Sequence, residues 1–274
     1  MKNPAIRLDN GLMHQARKRF GQNFLHDQDV IARIIDSINP QPDQHLLEIG
    51  PGQAALTDTL AASGARLDCV ELDRDLSRYL EQRFSNNDGV RIHQQDILKF
   101  DLTSLDAKPR SLRVIGNLPY NISTPVMFHL LKQHELIHDM VFMLQLEVVQ
   151  RMAAVSGDKN FGRLGLMLQY FCAVEHLFNV PSAAFSPRPK VSSAIVRLTP
   201  HREMPVQTRD PELLETVVRT AFNQRRKTLK NSLKAIMSAE TMANLPIDTS
   251  LRPENLTLKD YVLISEAIYE ADHH

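Results

Sequence analysis

The stretch that decides the fold of this 274-residue chain is His45-Leu46-Leu47-Glu48-Ile49-Gly50-Pro51-Gly52. Its first five residues form a mostly apolar run that predicts a buried β-strand, and the two glycines after it predict a tight turn. A helical pattern resumes at Ala54, so the segment predicts a strand, a glycine turn and a helix in that order. In this setting Gly50 and Gly52 let the backbone approach a ligand closely.

Apolar runs and helical patterns alternate on both sides of this segment. The predicted strands are His45–Ile49, Ala65–Glu71, Val90–His93, Leu112–Gly116 and Met140–Leu144. The helices predicted among them are Ala54–Ala62, Arg74–Phe84 and Pro125–Gln133, the last with Thr124 as its N-cap. An amphipathic helix capped by Asp27 or Asp29 precedes them. This alternation predicts an α/β protein with a doubly wound, mostly parallel sheet.

The remainder of the chain predicts one more strand and several helices. Helices are expected at Glu147–Val155 and Leu164–Val174, and an alternating strand at Val191–Leu198. Thr199–Pro211 is typical of a linker, and helices at Pro211–Ser238 and Leu258–Tyr269 would form a small all-α domain. We therefore divide the chain into a basic leader (1–25), an α/β domain (26–204) and a helical domain (205–274).

The composition limits the class of protein. Hydrophobic residues make up 43%, charged residues 23%, and the formal net charge is zero, as in ordinary globular proteins. The chain has no run long enough to span a membrane and no apolar stretch typical of a signal peptide. Cys69 and Cys172 lie in apolar segments, and the histidines, including His134 and His138, show no metal-ligand spacing. These features predict a cytoplasmic protein with reduced cysteines, no metal site and no membrane segment.

Two acidic residues continue the pattern that begins at the glycine turn. Glu71 ends the second predicted strand, nineteen positions after Gly52, where a carboxylate accepts the ribose hydroxyls of an adenosine cofactor. Asp96 follows the third strand, where it would accept a hydrogen bond from an adenine amine while Ile97 covers the ring. The alternatives are a simple tight turn and a capping aspartate. These residues alone do not separate a nicotinamide dehydrogenase from a methyltransferase.

The fourth predicted strand runs into Asn117-Leu118-Pro119-Tyr120. The exocyclic amine of adenine is a poor nucleophile because its lone pair is delocalised into the ring. Two acceptors, the side-chain oxygen of Asn117 and the carbonyl of Leu118, would favour a more tetrahedral nitrogen, and Tyr120 can stack on the base. The alternative is a chance strand-to-helix turn. Because no hydride-transfer acid or base is evident, the motif favours methyl transfer over a dehydrogenase.

A cationic run without acids lies between Val217 and Lys234. Its members are Arg219, Arg225, Arg226, Lys227, Lys230 and Lys234. If this run were one helix, most of these cations would share one side and an apolar stripe would occupy another. A solvated surface is the ordinary explanation of such a run. The lack of acids, and a second cluster that includes Arg17 and Lys18, favour contact with RNA phosphates.

Seven motifs, in order, resemble those of the ribosomal RNA adenine dimethyltransferases, and within them the bacterial KsgA type. They cover nearly the whole chain, and although each could occur by chance, their joint occurrence in order is specific. The motifs are Lys18–Leu25 (KRFGQNFL), Glu48–Gly52 (EIGPG), Glu71–Asp73 (ELD), Gln95–Asp96 (QD), Asn117–Ser123 (NLPYNIS), Phe185–Ser193 (FSPRPKVSS) and Phe222–Thr228 (FNQRRKT).

The resemblance implies a seven-stranded, Rossmann-like (class I) methyltransferase sheet and S-adenosylmethionine as methyl donor. The implied substrates are two adjacent adenosines in the 3′-terminal hairpin loop of small-subunit (16S) rRNA, each dimethylated at N6 within an immature 30S particle. A monomeric cytoplasmic enzyme is expected. The alternative is a ribosome assembly factor that binds the small subunit without essential catalysis.

The resemblance also assigns roles to individual residues. Phe185 would stack on the flipped adenine opposite Tyr120. Many family members carry glycine at the position of Ala54, and we interpret the alanine as permissible. The implied donor contacts are Gln22, at the methionine end, and Asn23, Leu25, Gly50, Glu71, Asp96 and Asn117.

Overall fold

The computed structural model describes residues 5–7, 13–15 and 22–273, with side chains from residue 22 onward. The predicted RNA contacts Arg17 and Lys18 lie outside the described residues. The chain forms two compact units, one made of residues 1–149 and 175–200 and the other of residues 150–174 and 201–274. Residues 150–174 therefore group with the C-terminal unit, whereas the sequence interpretation placed them in the α/β domain.

The strands belong to a large sheet and to two short pairs. The pairs are β1 (Ala5–Arg7) with β2 (Met13–Gln15), and β3 (Phe24–Leu25) with β10 (Phe185–Ser186). The strands of the large sheet are β4 (His45–Ile49), β5 (Arg66–Glu71), β6 (Val90–Gln94), β7 (Leu112–Asn117), β8 (Ile137–Gln145), β9 (Cys172–Val180) and β11 (Ser193–Pro200).

The large sheet has seven strands in the order β6-β5-β4-β7-β8-β11-β9. Neighbours from β6 through β8 are parallel, and β11 is antiparallel to β8. The predicted mostly parallel, seven-stranded sheet is thus confirmed. Its edge strand β9 was not predicted, because the helix expected at Leu164–Val174 ends at Phe171 and gives way to a strand with mostly exposed or half-buried side chains.

Local sequence explains where the helices around this sheet begin. The first helix, α1 (Gln28–Ile38), is capped by Asp27, whose side chain accepts from the Val30 N–H at 3.1 Å. Its apolar stripe is buried. The predicted Thr124 cap is wrong, because the corresponding helix begins at Ser123, two residues earlier than expected, with Ile122 at the cap position. The other helices that follow the parallel strands along the chain are α2 (Thr57–Ala62), α3 (Arg74–Arg83), α4 (Ser123–Leu131) and α5 (Leu146–Ala153).

The second unit is helical. Its helices are α6 (Arg163–Phe171), α7 (Pro211–Asn223), α8 (Leu229–Leu233), α9 (Ala239–Ala243) and α10 (Leu258–His273). The single helix predicted over Pro211–Ser238 is wrong, since it breaks after Asn223. The N–H groups of Leu229 and Lys230 donate to loop carbonyls of residues 251 and 249 rather than continuing a helix ladder. The cations of this region therefore do not share one helix face.

Two classes of feature are absent from the part of the chain that the structure describes. None of its helices is both long enough and apolar enough to cross a membrane. No group of three or more histidine, cysteine or acidic side chains within residues 22–273 is arranged to hold a metal ion.

Candidate active site

A cavity of about 360 Å³ lies at the carboxyl ends of β4, β5 and β7, beside the loop that follows β6. The strand order reverses next to β4, and the crevice at such a switch point is the usual ligand site of open α/β sheets. All the sequence-predicted donor contacts line this cavity, and so do three of the four predicted acceptor contacts, Asn117 being in both groups. These lining residues are Gln22, Asn23, Leu25, Gly50, Gly52, Glu71, Asp96, Ile97, Asn117, Leu118 and Tyr120.

The turn after β4 is held in a conformation that glycine adopts most easily. Gly50 and Gly52 have φ angles of 67° and 58°, in the left-handed region. The Gly50 N–H donates to the Val70 carbonyl at 2.9 Å, which ties the turn to β5. A Cβ on Gly52 would lie 3.4 Å from the Phe24 ring. Backbone amides therefore line the cavity without intervening side chains.

Ala54 is also left-handed, with φ at 68°, and is fully buried. We expect Ala54→Gly to be more stable than Ala55→Gly by up to about 1–2 kcal/mol, the cost of placing a Cβ in the left-handed region. Both variants gain the same freedom in the unfolded chain, but the methyl group lost at Ala54 is the more buried one, so the difference is a lower limit on the strain. Denaturant unfolding of the two variants measures it. A less stable Ala54→Gly variant would contradict the expected strain.

Glu71 is a buried acceptor fixed by two backbone amides. Its Oε2 accepts from the Gly52 N–H at 3.2 Å and its Oε1 from the Asp73 N–H at 2.8 Å. Burial raises the pKa of Glu71 to about 7, although these amide donors oppose the rise. Asp73 in turn caps α3 and accepts from Gln22 Nε2 at 3.3 Å. The carboxyl is thus oriented before any ligand binds, and each oxygen retains a lone pair for a ribose hydroxyl.

Asp96 has a similar arrangement at the next strand. Its Oδ1 accepts from the Leu98 N–H at 3.0 Å, as expected for a capping aspartate. This bond occupies one carboxylate oxygen and leaves the other for a ligand amine. Ile97 is buried beside it and lines the same cavity. The capping role and the ligand role that were alternatives in the sequence are therefore compatible.

The acceptor motif is fixed by bonds that leave its oxygens available. Asn117 ends β7, and its Nδ2 donates to the Asn23 carbonyl at 3.2 Å. That bond uses the amide nitrogen, so Oδ1 is the atom left to accept. The Leu118 N–H donates to the Met143 carbonyl at 3.3 Å. The Tyr120 hydroxyl forms a hydrogen bond with Ser193 Oγ at 2.8 Å, which holds the ring in place. Burial raises the pKa of the Tyr120 hydroxyl.

Phe185 is not among the cavity-lining residues. It is 3% exposed, belongs to the hydrophobic core, and pairs with Leu25 across the β10–β3 ladder. The structure therefore brings Phe185 to the strand beside the cavity without bringing its ring to the cavity wall. Its predicted place opposite Tyr120 stays a prediction.

Sequence reasoning missed Glu48 and Gln53, which also line the cavity. Glu48 Oε2 and Gln53 Nε2 are buried and have no hydrogen-bond partner. Burial raises the pKa of Glu48 to about 8; the Thr57 hydroxyl opposes the rise, and the Glu71 and Asp58 carboxylates add to it. A proton on Glu48 stabilises the empty protein fully below the ordinary pKa near 4.5, and this stabilisation is lost as the pH rises through 8.

An unpartnered acceptor and an unpartnered donor fit a ligand with an ammonium and a carboxylate, as the amino acid end of S-adenosylmethionine has. Buried polar groups are normally paired, so these two atoms are candidates for contact with a ligand. The signal in the sequence was an acid two residues before Gly50 in a mostly apolar strand.

The predicted RNA contacts in the second unit are exposed. Arg225 donates to the Lys159 carbonyl and lies 3.7 Å from Glu254, so its charge is partly used within the unit. The other five form no ion pair with any described residue, although Arg219 contacts the Thr216 hydroxyl. Those five are Arg219 on α7, Arg226 and Lys227 in the turn after it, Lys230 on α8, and Lys234.

Two solved transferases are among the known proteins with the same fold. A dimethyladenosine transferase from Plasmodium falciparum superposes with a TM-score of 0.72 at 24% identity, covering 88% of this chain and 95% of that one. The 23S rRNA methyltransferase ErmE superposes with a TM-score of 0.66 at 24% identity, covering 90% and 100%. At this identity the likeness concerns the fold.

Comparison at the sequence level identifies the family as well as the fold. The family profile described as ribosomal RNA adenine dimethylase matches residues 13–270. A protein named ribosomal RNA small subunit methyltransferase A from Pseudomonas savastanoi pv. phaseolicola is 57% identical over 257 residues, 94% of this chain and 96% of the relative. A protein of the same name from Marinobacter nauticus is 56% identical over 255 residues, 93% and 92% of the two chains. Because the profile covers most of the chain and these relatives are more than half identical to it, this chain belongs to the ribosomal RNA adenine dimethylase family.

Proposed function

We propose that this protein transfers methyl groups from S-adenosylmethionine to N6 of two adjacent adenosines in the 3′-terminal hairpin loop of 16S rRNA. Each base would become N6,N6-dimethyladenosine. The observation that carries the proposal is the single cavity shared by the nucleoside-binding acids and the acceptor motif. Family membership supports the same chemistry.

The order of polar groups along the sheet edge matches the order of parts in the donor. Asp96 follows β6, Glu71 ends β5, Glu48 is the last residue but one of β4, and Asn117 ends β7. These strands lie side by side in that order. Asp96 would hold the adenine and Glu71 the ribose, and the rest of the donor would extend toward β4. Asn117 and Leu118, at the end of the neighbouring strand, would hold the acceptor amine that receives the methyl group.

The residues of the acceptor motif act by orientation. S-adenosylmethionine supplies an activated methyl group when bound. Asn117 Oδ1 and the Leu118 carbonyl accept the two hydrogens of the adenine amine and aim its lone pair along the cavity. Tyr120 holds the face of the base. The nitrogen loses its extra proton to solvent after transfer, so no side chain has to act as general base before the methyl group moves.

The cations of the second unit are proposed to bind RNA phosphates. Lys227→Ala together with Lys230→Ala should weaken RNA binding and reduce the slope of log affinity against log salt by roughly 1–2, because up to two phosphate contacts are lost. Donor affinity should not change. Filter binding of small subunits over a range of salt concentrations measures both effects.

A matched control removes the same charge from the first unit, where Lys108 and Lys132 are exposed. Lys108→Ala with Lys132→Ala should leave the salt slope at its wild-type value. If the two double variants behaved alike, the cations at 227 and 230 would be an ordinary solvated surface.

The cellular setting follows from the substrate. We propose that the protein acts as a monomer in the cytoplasm on rRNA within an immature 30S particle, where the 3′-terminal hairpin is still accessible. Its choice among RNAs would depend on shape, with the target bases taken from a loop.

Unmethylated small subunits incubated with the protein and labelled donor test the proposed function. Label should appear only in the 3′-terminal hairpin of 16S rRNA. The modified bases should also cause strong stops to reverse transcription at two adjacent adenosines. Large subunits should remain unlabelled. Tight binding of small subunits without any incorporation would instead favour the assembly-factor alternative, and label at other positions would overturn the proposed substrate.

A further inference from the structure

We propose that a groove on the second unit binds a cationic, amphipathic segment of a protein that belongs to the particle carrying the substrate RNA. The groove is lined by α10 and by residues 236–246, which include α9, and it encloses about 800 Å³. All its lining residues belong to the second unit. The inference rests on the proposed function only in taking a ribonucleoprotein particle as the substrate.

The floor of the groove is apolar. Leu263 of α10 is 37% exposed there, and Met237 and Ile268 lie buried beside it. Ala267 and Ala271 follow Leu263 at four-residue spacing on the same side of α10, and their small side chains leave the groove open. A single exposed leucine is ordinary, whereas an apolar floor within a charged rim is typical of a protein-binding surface.

The rim of the groove is acidic. Its lining residues in the described part of the chain include four carboxylates, Glu240, Glu266, Glu270 and Asp272, and neither a lysine nor an arginine. Arg209 lies 3.3 Å from Glu266 and 3.2 Å from Glu270. Glu240 and Asp272 are exposed and form no ion pair with any described residue. Negative charge therefore exceeds positive charge at the rim, and the complementary partner is cationic.

This charge favours a protein segment over RNA as the occupant. Carboxylates repel RNA phosphates, for which cations such as Lys227 and Lys230 are available elsewhere on the same unit. A basic amphipathic segment matches both parts of the groove, because its charged ends can pair with the rim while its apolar side chains cover Leu263. Basic segments of this kind are common in proteins that bind RNA, so a ribonucleoprotein particle can supply one.

Two sets of substitutions test the rim and the floor separately. Glu240→Gln with Asp272→Asn removes two charges with little change of shape. It should weaken binding of unmethylated small subunits about 2- to 30-fold, the range expected for two exposed ion pairs. Leu263→Asn, which makes the floor polar, should weaken it about tenfold. Neither change should alter affinity for protein-free 16S rRNA or the methyl-transfer rate at saturating subunits. Filter binding and single-turnover rates measure these quantities.

A matched control removes two exposed carboxylates from the first unit. Glu81→Gln with Glu135→Gln makes the same change in net charge away from the groove, and it should bind subunits and protein-free rRNA as the wild type does. Wild-type affinity for subunits in both groove variants would overturn the inference. An equal loss of affinity for subunits and for protein-free rRNA would also overturn it.

Photo-cross-linking identifies the occupant. Asn244→Cys places a thiol in the groove lining, and because Cys69 and Cys172 are buried, a benzophenone label should attach to the new thiol. After irradiation with small subunits, the label should be joined to a protein segment that combines lysine or arginine with apolar residues. The same substitution at exposed Asn86 of the first unit should not capture that segment. Adding Glu240→Gln and Asp272→Asn to the Asn244→Cys protein should lower the yield.

Three results of this experiment would contradict the proposed occupant. They are cross-links to rRNA, cross-links to a second copy of this chain, and the absence of any cross-link from the groove. Each would leave the proposed function intact as long as the wild-type protein methylates small subunits. Failure of the wild-type protein to bind and methylate small subunits would instead contradict the proposed function.

Discussion

Replacing Asn117 with alanine should lower the single-turnover rate of methyl transfer about 10²–10³-fold, because one aligned polar group in a dry site is typically worth that much. The side chain is well placed for this effect. Its amide nitrogen donates to the Asn23 carbonyl, which leaves Oδ1 to hold the adenine amine. The bond to the amine matters most as the nitrogen becomes tetrahedral, so the rate should fall far more than RNA affinity.

The Asn117→Asp variant distinguishes the proposed bond from the adenine amine to Oδ1 from the bond that Nδ2 donates to the Asn23 carbonyl. Aspartate keeps an oxygen acceptor for the amine but cannot donate to Asn23, so this variant should be more active than alanine and less active than wild type. Rates at saturating donor and RNA, together with RNA affinity, provide the comparison. Wild-type rates in Asn117→Ala would remove Asn117 from the acceptor site.

Glu71→Ala should weaken donor binding by about 2–4 kcal/mol, since two ribose hydroxyls lose a charged acceptor. The same change leaves the Gly52 and Asp73 amides without their partner, so the turn after β4 should also lose stability. Glu71→Gln keeps one acceptor oxygen and should show a smaller loss. S-adenosylhomocysteine titrations measure the affinities, and thermal unfolding in the absence of ligand measures the loss of stability.

Glu81→Ala is the matched control for the Glu71 variants, because it removes an exposed carboxylate from α3 of the same unit. It should bind ligand as the wild type does. An unchanged affinity in Glu71→Ala, with the fold intact, would place the ribose elsewhere.

The parallel strands could be predicted from the sequence because strands buried on both faces form nearly continuous apolar runs. The predicted strands also indicated where the candidate site lies, because the carboxyl ends of neighbouring parallel strands meet at one edge of the sheet. Glu71 and Asn117 lie far apart in the chain, yet each ends a strand adjacent to β4.

Other features depend on tertiary contacts that the sequence does not reveal. Strand β9 lies at the sheet edge with mostly exposed or half-buried side chains, so its pattern lacks clean alternation. The two-residue strands β3 and β10 exist only through their pairing with each other. The helix ends at Asn223, and the amides of Leu229 and Lys230 bond to a loop about twenty residues further along the chain, which no local propensity indicates.

Site residues were missed or uncertain for similar reasons. The sequence pattern assigned no role to Glu48. Glu48 stands out only in the folded chain, where its Oε2 is buried without a hydrogen-bond partner. Phe185 has an aromatic side chain in a proline-rich motif, but its ring is buried in the core beside β3 rather than at the cavity wall. Burial and pairing, rather than residue type, distinguish these cases.

Nucleoside analysis of reacted small subunits tests most directly the claim that this cavity dimethylates adenine. Unmethylated subunits are incubated with S-adenosylmethionine and protein, their RNA is digested, and modified nucleosides are counted by mass spectrometry. The account predicts that N6,N6-dimethyladenosine approaches two per subunit with the wild-type protein and is far below that over the same time with Asn117→Ala. Methyl groups on other atoms, or no dimethyladenosine with the wild-type protein, would contradict it.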